Sequence, residues 1–170
     1  MKKTLIVVDM QNDFIDMALG TKEAVAIVPK VREKIQEYAN RGDEIIYTRD
    51  THFEDYLQTT EGKNLPVEHC IKGTTGWEII PQLDTADSVI VDKPTFGSYE
   101  LVDVIEGLDP ESIEVIGVCT DICVISNAML LKAKFLETPI SVDKKCCAGV
   151  SIKSHYVALE AMKACQIEII

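Results

Sequence analysis

The sequence predicts an α/β protein, a three-layer α/β/α sandwich built on a mostly parallel, doubly wound sheet of six strands. Short runs rich in Val and Ile have the composition of strands buried on both faces. These runs alternate along the chain with segments of helical periodicity, the order that produces a parallel sheet covered by helices. At 170 residues we expect one domain, residues 1–170, with a core large enough to be stable without disulfides.

Four of the predicted strands end in a residue that can take part in chemistry. The apolar runs are residues 4–9, 44–50, 88–93 and 113–123. They lead to Asp9, Asp50, Lys93 and Cys123 at their carboxyl ends. In open parallel sheets, ligands bind in the crevice beyond those ends. The sequence therefore predicts an enzyme with these side chains around one crevice.

The helices follow from apolar spacing and capping residues. Five apolar residues at helical spacing predict a core-facing helix over residues 22–40: Val25, Val28, Val31, Ile35 and Tyr38. A second helix, over residues 121–136, is apolar almost all round, so we expect it to be buried in the centre of the molecule. Ser151 is a suitable N-cap for a last helix at residues 153–165, and residues 166–170 supply a terminal strand.

Charge and composition argue against several classes of protein. The formal net charge is −11, so a nucleic-acid backbone or an anionic membrane surface would repel the chain. No apolar run approaches the ~20 residues needed to span a bilayer, and the polar residues from Asp9 onward make the first run too short for a signal peptide. We therefore expect a cytoplasmic protein that binds neither nucleic acid nor membrane. Its six cysteines include no Cys-x-x-Cys pair, so we expect free thiols, most of them buried.

Cys123 is a candidate nucleophile. It follows Thr120 and Asp121, either of which could cap the helix at residues 121–136, and in the first turn of a helix the dipole favours a thiolate. Free amides at the same position could bind an oxyanion. A buried structural cysteine is the alternative interpretation, and Cys119 is a rival nucleophile.

Asp9 and Lys93 are candidates for the groups that would assist such a nucleophile. A carboxylate at the edge of a hydrophobic layer can have a raised pKa and act as a general base. A lysine at the same edge could hold a thiolate or another developing negative charge. The alternatives are a turn-capping role for Asp9 and a solvated ion pair between Lys93 and Asp92.

The segment Asp50-Thr-His52 places two potential metal ligands on one side of an extended chain, because side chains alternate with a period of two. The long irregular stretch at residues 53–76 contains His69 and Glu61, which could complete the site. A carboxylate with two imidazoles suits zinc, iron or manganese. A surface loop without a metal is the alternative interpretation.

Five motifs together are similar to those of a known family. They are residues 9–14, residues 48–52, residues 69–76, Lys93 at its strand end, and the segment Gly117-Val-Cys-Thr-Asp-Ile-Cys-Val124. The chain resembles the isochorismatase-like cysteine hydrolases, and the resemblance extends to residues 147–150 and 155–162. It implies the isochorismatase-like hydrolase fold and hydrolysis of an amide by a cysteine nucleophile.

By this resemblance, Asp9, Lys93 and Cys123 form the catalytic triad. Asp9 takes the thiol proton, Cys123 attacks the amide carbonyl to form a thioester, and Lys93 stabilises the charged pair. The family carries a cis peptide bond before the residue that matches Cys119. The backbone amides of Cys119 and Cys123 would then form the oxyanion hole, and Phe14 would line the substrate pocket.

The resemblance also implies a divalent metal that orients the ring of the substrate, zinc by first expectation and iron or manganese as alternatives. Asp50, His52 and His69 match the ligands of the metal-containing members. Phe53 stands where those members usually have a proline followed by another histidine. Glu61 could fill the ligand position that this departure leaves vacant.

The function expected from the resemblance is that of a nicotinamidase, which hydrolyses nicotinamide to nicotinate and ammonia in NAD salvage. Two alternatives remain open. One is a metal-free amidohydrolase of the same family that acts on a carbamoyl or ureido compound. The other is a non-catalytic binding protein on this fold. Relatives commonly form dimers or tetramers, so the expected partners are a small amide substrate and further copies of the chain.

Overall fold

The computed structural model describes residues 2–86 and 88–170. Its strands are β1 (Lys3–Val8), β2 (Glu44–Asp50), β3 (Val89–Lys93), β4 (Ser112–Val118), β5 (Ile140–Ala148) and β6 (Glu168–Ile169). These six strands form one sheet in the order β3-β2-β1-β4-β5-β6, and every neighbouring pair is parallel. The strand that begins the chain therefore lies near the middle of the sheet, where both of its faces are covered.

The helices are α1 (Asn12–Ile15), α2 (Lys22–Arg41), α3 (Thr60–Asn64), α4 (Tyr99–Leu108), α5 (Ile125–Lys134) and α6 (Ile152–Ala164). The long helix α2 packs against β1, β2, β4 and β5, whereas α5 contacts both α4 and α6 in the second helical layer. The predicted α/β/α sandwich with a parallel, doubly wound sheet is confirmed.

The order of the strands creates the crevice that the sequence predicted. From β1 the chain moves to β2 and β3 on one side, and then crosses to β4 and β5 on the other. The direction of winding thus reverses between β1 and β4, and ligands of doubly wound sheets bind at the carboxyl ends of strands at such a point. Asp9 follows β1 there, and the segment from Cys119 to Cys123 follows β4.

The buried face of α2 differs from the predicted one. Val31, Ile35 and Tyr38 are buried as expected, but Val25 is 47% exposed. The buried stripe begins instead at Ala24 and Ile27, because only that register continues along the same side of the helix to Tyr38. Thr21 caps the amino end of α2, and Gly42, with φ of 71°, ends it.

The segment predicted as one buried helix over residues 121–136 is helical, but its first turn is a π-helix and it is not buried all round. A π-helical turn occupies residues Thr120–Val124, and α5 then runs from Ile125 to Lys134. Burial in α5 is confined to Asn127, Ala128 and Leu131, so the prediction that it is buried all round is wrong. The helix contacts α4, α6 and β5 on one side and leaves its other side to solvent.

The cap of the last helix and the free state of the thiols agree with the predictions. Ser151 caps α6 and forms a reciprocal capping box with Ser154. All six cysteines carry free thiols, and four of them are buried: Cys70, Cys123, Cys146 and Cys147. Among the described residues, no helix combines the length and the apolar character that crossing a bilayer requires.

Candidate active site

Asp9 lies immediately after β1 and is fully buried. Its backbone adopts the left-handed region, with φ of 49°, and its N–H donates to the backbone and side-chain oxygens of Thr48 at 3.2 Å each. The Thr48 hydroxyl donates in turn to Asp9 Oδ1 at 2.6 Å. These contacts orient the carboxylate, and its second oxygen, Oδ2, lies 2.6 Å from Lys93 Nζ.

Lys93 is the last residue of β3 and is also fully buried. Its Nζ lies 3.5 Å from Cys123 Sγ and donates to the backbone oxygen of Thr95 at 3.1 Å. The alternative of a solvated pair with Asp92 is wrong, because Asp92 instead accepts from Arg49 Nε at 2.8 Å. Asp9, Lys93 and Cys123 therefore come together in one buried cluster, as the strand-end pattern predicted.

Burial and neighbouring charges act in opposite directions on Asp9 and on Lys93, and their balance determines the protonation of both groups. Burial raises the pKa of Asp9 above its usual value, although Lys93 opposes the change. Burial alone would lower the pKa of Lys93, but the charges of Asp9, Cys123 and Asp50 outweigh it and raise that pKa. Lys93 is therefore an ammonium group at neutral pH, held against a carboxylate whose affinity for a proton is increased.

Cys123 lies in the π-helical turn and is 4% exposed. The turn follows a cis peptide bond between Val118 and Cys119. Burial raises the pKa of the Cys123 thiol well above its usual value, and Lys93 offsets this only in part. The prediction that the helix end favours the thiolate in the resting protein is therefore wrong. The structure instead presents a protonated thiol beside a carboxylate that can accept its proton.

Four side chains beside this cluster bring their ligand atoms within 4.8 Å of one another: Asp50, His52, Glu61 and His69. They come from the end of β2, the extended segment after it, α3 and the loop that precedes Cys70. His52 Nε2 lies 2.9 Å from Asp50 Oδ2 and 3.5 Å from Glu61 Oε1, while His69 Nε2 lies 3.5 Å from Asp50 Oδ2. The structure thus brings together all four residues that the sequence suggested as ligands.

The chemistry of this cluster fits a divalent metal. Two imidazoles and two carboxylates are a donor set that zinc binds in proteins. The Nδ1 atom of His69 faces the backbone oxygen of Val67 at 2.7 Å, so Nε2 remains free to coordinate. Burial raises the pKa of Glu61, and two carboxylates this close together are more stable when a cation lies between them.

Asp50 is the most strongly ionised member of the cluster. Burial disfavours its charged form, but hydrogen bonds from His52 and His69 and the charge of Lys93 hold its pKa below the usual value. Burial likewise disfavours the charged form of His69, yet the hydrogen bond to Asp50 raises the pKa of that imidazole. Asp50 is consequently a permanent carboxylate at neutral pH, as a metal ligand must be.

A cavity of about 300 Å³ opens onto both clusters. Cys123, Asp50, Glu61 and His69 line its polar end. The rest of the wall is apolar and includes Phe14, Leu65, Phe96, Ile122 and Val150. Phe14 also packs against His69, with 5.5 Å between ring centroids. Among the described residues that line the cavity there is no lysine or arginine, so the wall is suited to a neutral, flat ligand.

Sequence reasoning did not identify several residues that hold these clusters in place. Thr48 orients Asp9, and the ring of Tyr56 packs on His52 and His69 at centroid distances of 4.7 and 5.0 Å. His155, the histidine outside the metal cluster, faces the Thr120 hydroxyl at 2.7 Å through Nδ1. Thr48 belongs to the motif at residues 48–52 and Thr120 to the segment Gly117–Val124, whereas no local pattern distinguishes Tyr56.

The chain was compared with known proteins. A family model, the isochorismatase domain, matches residues 3–170. The nicotinamidase/pyrazinamidase of Mycobacterium tuberculosis is 27% identical over 99% of this chain and 98% of its own length. The structure of Pyrococcus horikoshii pyrazinamidase in complex with zinc superposes with a TM-score of 0.87 at 30% identity, covering 100% of this chain and 99% of that one. The pyrazinamidase/nicotinamidase of Streptococcus mutans gives a TM-score of 0.87 at 28% identity, covering 99% and 100%. The resemblance found in the motifs is thereby confirmed, and the chain belongs to the isochorismatase family.

Proposed function

We propose that this chain is a nicotinamidase that hydrolyses nicotinamide to nicotinate and ammonia, a reaction of NAD salvage. Its family and its relatives named nicotinamidase and pyrazinamidase indicate a hydrolase that acts on amide bonds. The observation that carries the specific proposal is the buried Asp9–Lys93–Cys123 cluster, which opens onto the same cavity as Asp50 and His69. A single small substrate in this cavity can therefore contact both the Cys123 nucleophile and the proposed site for a pyridine ring.

The first half of the reaction uses the proton relationships of the buried cluster. Cys123 Sγ attacks the amide carbon while its proton passes to Asp9, whose pKa is raised by burial. The carbonyl oxygen becomes an oxyanion, which we propose is bound by the backbone amides of Cys119 and Cys123. Asp9 then returns the proton to the leaving nitrogen, so that ammonia departs and a thioester remains on Cys123.

The second half of the reaction hydrolyses the thioester. Water attacks the thioester carbon, and Asp9 accepts one of its protons. Collapse of the oxyanion then releases nicotinic acid as Asp9 protonates the departing Cys123 sulfur, and the acid loses its remaining proton to solvent to give nicotinate. Lys93 remains an ammonium group throughout and stabilises whichever of Asp9 and Cys123 is negative.

We propose that Asp50, His52, Glu61 and His69 hold the divalent metal, with zinc as the metal that suits them. When bound, the metal supplies a Lewis acid that fixes the ring nitrogen of the substrate and so orients its amide. This chain's own residues complete the pocket: Phe14 and Phe96 line the cavity and supply apolar surface for a flat ring.

The charge of the cavity argues against the metal-free alternative. A carbamoyl or ureido acid carries a carboxylate, and its binding site needs a cation or several free amides to receive that charge. The described lining residues supply Asp50 and Glu61 instead, and Lys93 is already paired with Asp9. A non-catalytic role is disfavoured as well, because a buried lysine, carboxylate and thiol are expensive to retain without a function.

The proposal is tested by measuring nicotinate and ammonia release from nicotinamide by the zinc-loaded protein. We expect turnover in the wild type and a loss of about 10⁴-fold or more in Cys123→Ala, since the nucleophile acts as part of a unit. Cys165→Ala removes an exposed thiol that does not line the cavity, and it is the matched control. The absence of nicotinate from the zinc-loaded wild type would refute the proposal.

A substrate panel separates the proposal from its alternative. We expect hydrolysis of nicotinamide and pyrazinamide, which are neutral, and none of N-carbamoylglycine, which carries a carboxylate. Hydrolysis of N-carbamoylglycine that persists in Asp50→Ala would instead favour a metal-free amidohydrolase. No hydrolysis of any amide by a fully folded, zinc-loaded protein would favour a binding role.

A further inference from the structure

The motif that begins at Asp9 contains two buried polar side chains to which the proposed reaction assigns no role. Gln11 is fully buried, and Asp13 is 7% exposed. Neither lines the cavity. Burying an amide or a carboxylate is costly unless it is hydrogen-bonded, so the partners of these side chains indicate why they are there.

Gln11 holds the backbone of Asp50 at both of its polar groups. The Gln11 side chain donates from Nε2 to the Asp50 carbonyl at 2.8 Å and accepts the Asp50 N–H at Oε1, also at 2.8 Å. The same Nε2 donates to the carbonyl of Trp77 at 2.8 Å. Because all three bonds are short and buried, the backbone from which the Asp50 carboxylate projects has little freedom to move.

Asp13 holds the segments that carry the two histidines. Its Oδ2 accepts the backbone N–H of Cys70, the residue after His69, at 2.7 Å. The carbonyl of Cys70 in turn accepts the N–H of His52 at 2.9 Å. Cys70 has φ of 49°, a conformation that residues other than glycine rarely adopt, so an external bond is needed to keep the chain there. Gly76 leaves space for the Asp13 carboxylate, since a Cβ at Gly76 would lie 2.1 Å from Asp13 Oδ2.

We propose that Gln11 and Asp13 are positioning residues of the metal centre: Gln11 for Asp50, and Asp13 for His52 and His69. The inference rests on the metal site of the proposed function. The ligands lie on separate segments, and without a metal their carboxylates repel one another. Hydrogen bonds that set these segments before the metal arrives lower the cost of assembling the site, which makes metal binding tighter.

The test is the zinc dissociation constant of the substrate-free protein, measured by competition with a chromophoric chelator. We expect zinc to bind about 10–100-fold more weakly to Gln11→Leu and Asp13→Ala. Asp13→Asn is expected to stay within about threefold of the wild type, because its amide oxygen can still accept the Cys70 N–H. Asn12→Ala is the matched control. Asn12 lies in the same motif as Gln11 and Asp13, but its side chain donates to the carbonyls of Thr75 and Glu78 and not to a residue that holds a ligand.

A second measurement distinguishes positioning from general loosening of the fold. Cobalt(II) bound in place of zinc has a visible spectrum that reports the geometry of its ligands. We expect this spectrum to change in Gln11→Leu and Asp13→Ala but to match the wild type in Asn12→Ala at equal occupancy. Circular dichroism and thermal unfolding identify which variants are folded, and any one folded variant of Gln11 or Asp13 suffices for the test.

Zinc binding in the folded Gln11→Leu and Asp13→Ala proteins as tight as in Asn12→Ala would overturn the inference. That outcome would leave the nicotinamidase proposal standing, because it concerns affinity and not turnover. Conversely, failure to hydrolyse nicotinamide together with the expected change in zinc affinity would support the inference and refute only the proposed substrate. A wild-type protein that binds no zinc would overturn both the metal site and its positioning.

Discussion

Asp50 and Lys93 are paired in register at the ends of β2 and β3, and their side chains meet with 3.4 Å between Oδ1 and Nζ. The other oxygen of Asp50 lies 2.9 Å from His52 Nε2. One carboxylate therefore belongs both to the candidate metal cluster and to the surroundings of the candidate nucleophile. The two centres are consequently parts of one site, and each prediction below separates their contributions.

Removing the Lys93 charge is expected to cost both activity and stability. In Lys93→Met the buried Asp9 carboxylate loses its 2.6 Å partner, which should lower the free energy of unfolding by about 3–5 kcal/mol. Nicotinate release should fall by about 10²–10⁴-fold, because Lys93 is the cation that lies against both Asp9 and Cys123. Urea unfolding and product assays check both expectations.

The double variant Asp9→Asn with Lys93→Met is the control for this prediction. Asn and Met leave no unpaired buried charge at these positions, so the double variant should lose at least about 1 kcal/mol less than the sum of the two single variants. It should remain inactive. Strict additivity of the two losses would contradict the ion pair as the source of the destabilisation.

Metal removal is expected to lower thermal stability, by an amount that grows with the logarithm of the ratio of zinc concentration to its dissociation constant. A ligand that binds only the folded state at about 100 times its dissociation constant adds about 2.7 kcal/mol, which raises Tm by about 5–10 °C in a chain of this size. We expect this zinc-dependent shift in the wild type and in His155→Ala, and its loss in His69→Ala. An equal shift in the two histidine variants would locate the zinc elsewhere.

Gly117 is expected to be irreplaceable even by alanine. It pairs with Val8 between β1 and β4, its φ is 116°, and a Cβ there would lie 2.1 Å from the Val8 carbonyl oxygen. Gly117→Ala should therefore lower the free energy of unfolding by about 3 kcal/mol or more.

Gly107 is the control for that substitution. It lies inside α4, and an added Cβ meets nothing within 4 Å. Gly107→Ala should raise stability by about 0.5–1 kcal/mol through helix propensity. Denaturant unfolding measures the free energies of unfolding of the two variants. Equal values would contradict the prediction, because they would show that the backbone at Val8 shifts to accommodate the added Cβ.

The stability of the protein in acid is expected to depend on Asp143. Lys34 Nζ lies 3.0 Å from Asp143 Oδ2 and 2.8 Å from Glu114 Oε1. Burial opposes ionisation of Asp143, but its bond to Lys34 holds its pKa below the ordinary value of 3.8. The unfolded state thus binds more protons near that pH, so this stabilisation is complete above pH 3.8 and disappears as pH falls through the lower pKa of the folded state.

Asp143→Asn should therefore lower the free energy of unfolding by about 1–3 kcal/mol at pH 7. The gap between variant and wild type should narrow below pH 3.8, where the native carboxylate is protonated as well. Asp103→Asn, a change at an exposed carboxylate on α4, is the control and should match the stability of the wild type at pH 7. A gap for Asp143→Asn that stays constant from pH 7 to pH 3 would contradict the assignment.

Much of the fold could be predicted because the signals are local. Val- and Ile-rich runs need no partner to be recognised as buried strands. Gly42 marks the end of α2 through its left-handed backbone, and Ser151 marks the start of α6 through its side-chain cap. The face of α2 was less predictable. Val25 and Ile27 are both apolar, and only contact with the sheet decides that Ile27 is buried and Val25 exposed.

The residue types of the site and the edge at which they gather follow from the order of residues alone, because parallel strands present their carboxyl ends on one side. The tertiary structure decided how those residues act. Burial of Cys123 keeps its thiol protonated, Asp50 contacts both Lys93 and His52, and Gln11 bonds to a residue 39 positions away. Hydrogen bonds and charge interactions depend on distances of a few ångströms between distant segments, and packing of the whole chain sets those distances.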